Sequence, residues 1–153
     1  MNKELIILLH VVLASFLAGL IGLERESYRK PAGLRTNMIV GGAAALLVSL
    51  VEIIVGFFND NGLSEFIRAD PIRIIQAIVV GISFIGAGTV LQIEKEYKIK
   101  FLTTAATILF STGIGIAVAL HQYILSAGVS IFILIVNLFI GKIEDKFTGK
   151  RNR

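Results

Sequence analysis

Cysteine is absent from this chain, and so is tryptophan. The first absence removes disulfides, thiolate metal centres and cysteine nucleophiles together. Histidine is nearly as scarce, and His10 and His121, the only two, are too few for a conventional zinc site. Charge is also short, at 17% of residues against 55% hydrophobic, and the mean hydropathy is +0.81. That composition excludes an ordinary water-soluble domain. The net charge of +4 comes without the aromatic interleaving of a nucleic-acid surface. No nucleic acid is expected as a partner; basic residues that flank apolar runs point to the headgroups of a lipid bilayer.

What the chain has in quantity is long apolar runs. Five of them, at about residues 5–23, 38–58, 72–93, 101–120 and 122–141, are each long enough to cross a hydrocarbon core of about 30 Å as a helix. The sequence therefore predicts an all-α, polytopic membrane bundle of five transmembrane helices, in a single domain covering residues 1–153. The last two runs are separated only by the neighbourhood of His121 and Gln122. One continuous rod there would be about twice what a bilayer needs, so a tight helical hairpin is expected. The first run follows Lys3 as a secretory signal would, but no small-residue cleavage site precedes Glu24, and the run is expected to be retained.

Lysine and arginine set the expected orientation. Arg25, Arg29, Lys30 and Arg35 follow helix 1, Lys95, Lys98 and Lys100 follow helix 3, and Lys142, Lys146, Lys150, Arg151 and Arg153 follow helix 5. Only Lys3, Arg68 and Arg73 fall on the other side. The positive-inside rule then puts the amino terminus outside and the carboxyl terminus in the cytoplasm. With that topology, Glu24-Arg25, Leu34-Arg35-Thr36-Asn37, Gly86-Ala87-Gly88-Thr89 and Leu102-Thr103-Thr104-Ala105-Ala106 meet at one level near the cytoplasmic face. Gly19, Gly22, Gly86 and Gly88 would let helix backbones approach closely there.

Several of these polar residues have two readings. Glu24 sits at a helix carboxyl end, where the dipole disfavours an anion by about 0.3–1 kcal/mol. Its compensation is either an ion pair with Arg25 or Arg35, or a bound cation or proton. Thr36 or Asn37 suits the amino-terminal cap of helix 2, and Thr103 and Thr104 have the same place at helix 4. Asp70-Pro71 is a cap and first-turn pair for helix 3; any cation role for Asp70 would be capture on the outer side. Glu52 lies inside helix 2, where it is either neutralised by Arg73 or part of a pathway. The glycine run from Gly81 to Gly88 lacks the lysine and the strand of a phosphate loop, and is read as close packing or an unwound segment.

Taken in order, Gly22-Leu23-Glu24-Arg25-Glu26, Ala32-Gly33-Leu34-Arg35-Thr36, Asp70-Pro71 with Arg73-Ile74, the run from Gly81 to Thr89, and Leu102-Thr103-Thr104-Ala105-Ala106 resemble the MgtC/SapB family of bacterial inner-membrane proteins over nearly the whole chain. The resemblance implies a place in the bacterial cytoplasmic membrane and a role in magnesium homeostasis. It implies either Mg2+ transport or regulation of another membrane complex, such as the F-type ATP synthase. Longer members carry a soluble cytoplasmic domain after the bundle. This chain ends about a dozen residues past its fifth run, and is expected to be the short form without it. Ser83 and Phe101 stand where the family often has glycine.

The expected function is therefore Mg2+, or divalent-cation, transport, with Glu24, Thr89 and Asp70 as candidate metal ligands. Arg25, Arg35, Thr36, Gly86, Gly88, Thr103, Thr104, Glu52 and Arg73 are the supporting positions. The alternative is a non-transporting regulator, with Asn137 in helix 5 as a candidate contact for a membrane-protein partner. No pairing of nucleophile and base suggests an enzyme. Five helices with so few internal charges line a pathway poorly, so a homodimer is expected, with the small-residue faces of helices 1 and 3 as contacts.

Overall fold

A computed structural model describes residues 2–62, 70–90 and 101–148. Five helices follow one another: α1 (Lys3–Ser27), α2 (Leu34–Asp60), α3 (Pro71–Val90), α4 (Leu102–Ala119) and α5 (Tyr123–Thr148). They form the all-α bundle that the apolar runs predict. Lys3–Ser27, Leu34–Asp60, Ile72–Val90 and Leu102–Ala119 are long and apolar enough to cross a membrane, and α5 has a shorter apolar stretch at Tyr123–Phe139. Arg68, Lys95, Lys98, Lys100, Lys150, Arg151 and Arg153, which carry much of the expected charge asymmetry, lie outside the described residues, as do positions 91–93 of the third run.

Helix 1 continues past its apolar run to Ser27 and ends in a backbone motif. The Lys30 amide donates to the Arg25 carbonyl and the Arg29 amide to that of Glu26, with Arg29 in the left-handed region at φ 53°. That pairing is a Schellman cap, which most helices complete with glycine. The same cap ends α4. Gln122 donates to Ala117 and His121 to Val118, and His121 holds φ 60°. The hairpin expected around His121 and Gln122 is therefore present, and this cap is what makes it tight. Helix 2 begins four residues before its apolar run, at Leu34. Thr36 and Asn37 are inside it and do not cap it. The Glu26 carboxylate does that work instead, accepting the Leu34 amide at 3.0 Å.

The core follows a helical stripe. On α1, His10, Ala14, Leu17, Ala18, Ile21, Glu24 and Arg25 are buried, at the spacings of three and four that share a helix face. Ala44, Ala45 and Val48 of α2, Ile114 and Val118 of α4, and Ile133 of α5 meet that stripe. The outward faces are apolar too: Ile124 is 92% exposed and Phe84 82%, as suits lipid contact. Glycine brings α1, α2 and α4 together. A side chain at Gly22 would lie 2.7 Å from Leu34 Cα, one at Gly41 would strike Ala18, and one at Gly115 would strike the Gly41 carbonyl and Ala44. Helix 3 rests on α4, where Gly86 faces Ala105, and its Ile78 joins the core cluster.

One expectation changes as a result. The glycines of helix 1 pack within the chain, Gly19 against Met38 and Gly22 against the start of α2, so those positions are filled by the chain's own residues. Of the glycines on α3, Gly81 and Gly88 meet nothing within 4 Å among the described residues. Phe101, where the resembled family often has glycine, is held at φ 70° at the start of α4. That left-handed conformation costs a side-chain-bearing residue about 1–2 kcal/mol.

The glycine contacts separate two substitutions on one helix. Gly115→Ala is expected to destabilise the bundle by about 1–3 kcal/mol through overpacking. Gly113→Ala, which meets nothing within 4 Å, should be neutral or should stabilise by up to about 1 kcal/mol through helix propensity. Unfolding in mixed micelles, followed by circular dichroism, measures both. Equal stability of the two variants would contradict the α2–α4 packing.

Candidate functional site

The stripe that buries Leu17 and Ile21 also carries Glu24 and Arg25 inward, to 4% and 2% exposure. Each faces a different set of neighbours. Arg25 reaches across to α4 and donates from Nη2 to Thr104 Oγ1. Its Nε and Nη1 are buried with no hydrogen-bond partner among the described residues. Both carboxylate oxygens of Glu24 are likewise buried and accept no hydrogen bond from those residues. The ion-pair partner of Glu24 is Lys30, whose Nζ lies 3.6 Å from Oε1. The Schellman cap explains that partner, because it turns the chain back over the last turn of α1. The expected ion pair with Arg35 is not formed: Arg35 is exposed and lies in a surface depression with Arg29, Lys30, Glu26, Gly33 and Thr36.

Behind the charges stands a hydrogen-bonded polar layer. Asn37, fully buried, donates from Nδ2 to the carbonyls of Ala32 at 2.6 Å and Gly33 at 2.9 Å. Its Oδ1 accepts from Ser111 Oγ of α4 at 2.7 Å. Thr107 and Thr112 turn their hydroxyls back to the carbonyls of Thr104 and Ile108. The amide of Asn37 thus holds the α1–α2 elbow against α4. Its neighbour Thr36 and the paired position Thr103 are exposed and take no part.

The other predicted positions lie elsewhere. Thr89, also proposed as a ligand, donates to the Gly86 carbonyl of its own helix at 2.7 Å. Asp70 is at the opposite end of the bundle, where it accepts the Ile72 amide at 3.1 Å and pairs with Arg73 at 3.3 Å. It is the helix cap that its sequence context suggests. Since Arg73 pairs with Asp70, it does not serve Glu52. Glu52 instead lines a cavity of about 430 Å³ with His10, Ser49 and His121. Glu24, Asp70 and Thr89 do not converge, and among the described residues no group of three His, Asp or Glu side chains is placed to hold a metal ion. Asn137 is buried, at 9% exposure, so its side chain is turned into the bundle and away from any external partner.

Sequence reasoning missed Ser111 and Lys30 as partners, and missed the meeting of the two histidines. A signal existed for Ser111: Thr104, Thr107, Ser111 and Thr112 recur at helical spacing on α4, which marks a polar stripe on the face turned to α1 and α2.

The family model for the MgtC family matches residues 11–146. An uncharacterized protein of Haemophilus influenzae is 34% identical over 150 residues, covering 98% of this chain and 61% of that protein. A protein of Escherichia coli named as a putative magnesium transporter, YhiD, is 37% identical over 136 residues, with 89% and 60% covered. The protein MgtC of Salmonella typhimurium is 33% identical over 135 residues, with 87% and 52% covered. The chain therefore spans between about half and three-fifths of the length of these relatives. No solved structure matches it.

The cross-helix tie is open to a direct test. Thr104→Val keeps the shape but removes the one hydrogen-bond acceptor that the described residues give a buried guanidinium, and is expected to cost about 1.5–3 kcal/mol. Thr103→Val, on the exposed side, should change stability by less than about 0.5 kcal/mol. Denaturation of both variants in the same detergent gives the comparison; a neutral Thr104→Val would remove Arg25 from the α1–α4 interface.

Proposed function

The chain belongs to the MgtC family, and on that premise we propose that it is a divalent-cation transport protein serving magnesium homeostasis. Its long apolar helices and its family make it a multi-pass protein of the inner membrane. The positive-inside rule supports placing the amino terminus outside, five spans across the bilayer and the Glu24 end at the cytoplasmic face. The whole of residues 1–153 would form one transmembrane domain.

The observation that carries this reading is the Glu24 carboxylate. It is buried, neither oxygen accepts a hydrogen bond from the described residues, and its counter-ion among them is a half-exposed lysine. A carboxylate in that position bears a desolvation cost that a lysine at 3.6 Å only partly offsets. A divalent cation arriving from the membrane face with part of its water shell relieves it better, because magnesium is held by one or two carboxylates and keeps several waters. Lys30 would then swing outward as the ion arrives, and Arg25, tied to Thr104, would hold the helix end in place. Asp70 and Thr89 stand away from this cluster, and the role falls to Glu24.

Between the Glu24 end and the cavity at the other end, the core is apolar, made of Leu17, Ala44, Ala45, Val48, Ile114 and Val118. A passing ion would require α1, α2 and α4 to part, so this arrangement represents a closed state. A second copy, if it joins, would meet α3, where Gly81 and Gly88 leave room for a facing backbone.

Flux of Mg2+ into proteoliposomes, with an imposed membrane potential, tests the proposal. Saturable uptake is expected from the chain, with a loss of tenfold or more in Glu24→Gln. No uptake by folded, inserted protein would overturn transport and would favour a regulator that acts on another membrane complex.

A further inference from the structure

The cavity at the end opposite Glu24 is built from residues that nothing in the transport argument uses. His10 of α1 and His121 of the α4–α5 hairpin meet edge to face, with ring centroids 4.7 Å apart. His10 Nε2 is hydrogen-bonded to the Tyr123 hydroxyl at 2.8 Å, which fixes that ring against α5. Glu52 and Asp60 of α2 face the same space, with Lys3 across from them. Two carboxylates against one ammonium leave the walls net negative when the imidazoles are neutral. Ser49 lines the cavity as well. It is 4% exposed, and its hydroxyl has no hydrogen-bond partner among the described residues.

A buried hydroxyl without a partner costs about 1–3 kcal/mol, and Ser49 stands in the wall of this space, where Ile6, Ile7, Ile53 and Phe57 alternate with the polar groups. The acceptors around it exceed the donors, so the fitting occupant is a cation rich in hydrogen-bond donors. The walls do not strip such a cation: no three His, Asp or Glu side chains among the described residues are placed to chelate a bare ion. The volume suits a hydrated one. Water takes about 30 Å³ per molecule, so an octahedral six-water shell needs about 180 Å³, and the cavity has about 430 Å³.

We propose that the cavity between His10, Ser49, Glu52 and His121 is a binding site for a hydrated divalent cation. It is distinct from the Glu24 cluster and captures the ion through its own waters. Glu52 supplies the charge, Ser49 and the imidazoles accept or donate to the shell, and Tyr123 sets the orientation of His10. The choice of magnesium as the ion rests on the transport reading; the cavity chemistry does not.

Because the chain has only two histidines, both in this cavity, selective isotope labelling of histidine makes nuclear magnetic resonance a local reporter. The full chain in lipid nanodiscs is titrated with Mg2+ at about pH 8, where free imidazoles are neutral. Both ring signals are expected to shift saturably. Hexaamminecobalt(III), which has ammine ligands in place of exchangeable water, should compete for the same site. Glu52→Gln should weaken the response at least tenfold and Ser49→Ala several-fold, with unchanged helicity in both. Signals that ignore Mg2+ at millimolar concentration in folded protein would overturn the site, as would a response unchanged in Glu52→Gln. A shift produced by an alkyldiamine and not by Mg2+ would overturn the choice of ligand. The readout is binding at equilibrium and lies at the far end from Glu24. A protein that binds here without transporting would refute transport alone, and one that transports without binding here would refute this site alone.

Discussion

Glu24 and Arg25, adjacent in the chain and opposite in charge, are both drawn inside one end of the bundle because they continue the buried stripe of α1. Removing two charges from water is affordable only if each finds compensation, and much of the local architecture supplies it. The Schellman cap at Arg29 brings Lys30 back to Glu24. Thr104, at the start of α4, takes the guanidinium. Gly22 lets the backbone of α2 come in at Leu34, and Glu26 satisfies the first amide of that helix. The compensation is incomplete. Among the described residues, the carboxylate oxygens and two guanidinium nitrogens have no hydrogen-bond partner.

The rest of the molecule arranges itself around that end. Asn37 and Ser111 form a neutral polar layer behind it, fully hydrogen-bonded across α2 and α4. Beyond lies a layer of mostly apolar side chains in which glycine and alanine allow the close approach of helices. Small residues are how helices pack where lipid provides no hydrophobic contrast. At the far end polarity returns, in the histidine cavity. Side chains of modest size fill the space between the two polar ends.

Much of this was legible in the sequence, and the failures have identifiable causes. The five helices follow from hydropathy alone, since an apolar run of the length of 38–58 has few other structures available in lipid. Asp70-Pro71 was correctly legible as a cap because its signal is local. Boundaries were less so. The apolar runs stop at Leu23 and start again at Met38, whereas the helices extend to Ser27 and from Leu34, because charged residues are also good helix formers. Asn37 looked like a cap because asparagine usually is one; its burial depends on α4, which no local pattern contains. The caps at Arg29 and His121 were hidden because glycine, their usual marker, is absent. The sequence offers Arg25 or Arg35 as the partner of Glu24, but the turn that ends α1 brings Lys30 to it instead. The meeting of His10 with His121 is a tertiary event between the first helix and the last hairpin.

A double-mutant cycle on Glu24 and Lys30 would weigh the ion pair that closes this end of the bundle. Residues that share an ion pair couple by about 0.5–3 kcal/mol, and losing one partner leaves a buried charge uncompensated. Lys30→Met is expected to destabilise the chain in detergent unfolding, and to do so less, by that coupling, when Glu24 is already Gln. Losses that add to within about 0.5 kcal/mol would mean that the two charges do not interact, and that this end of the bundle is not the charge-coupled structure described.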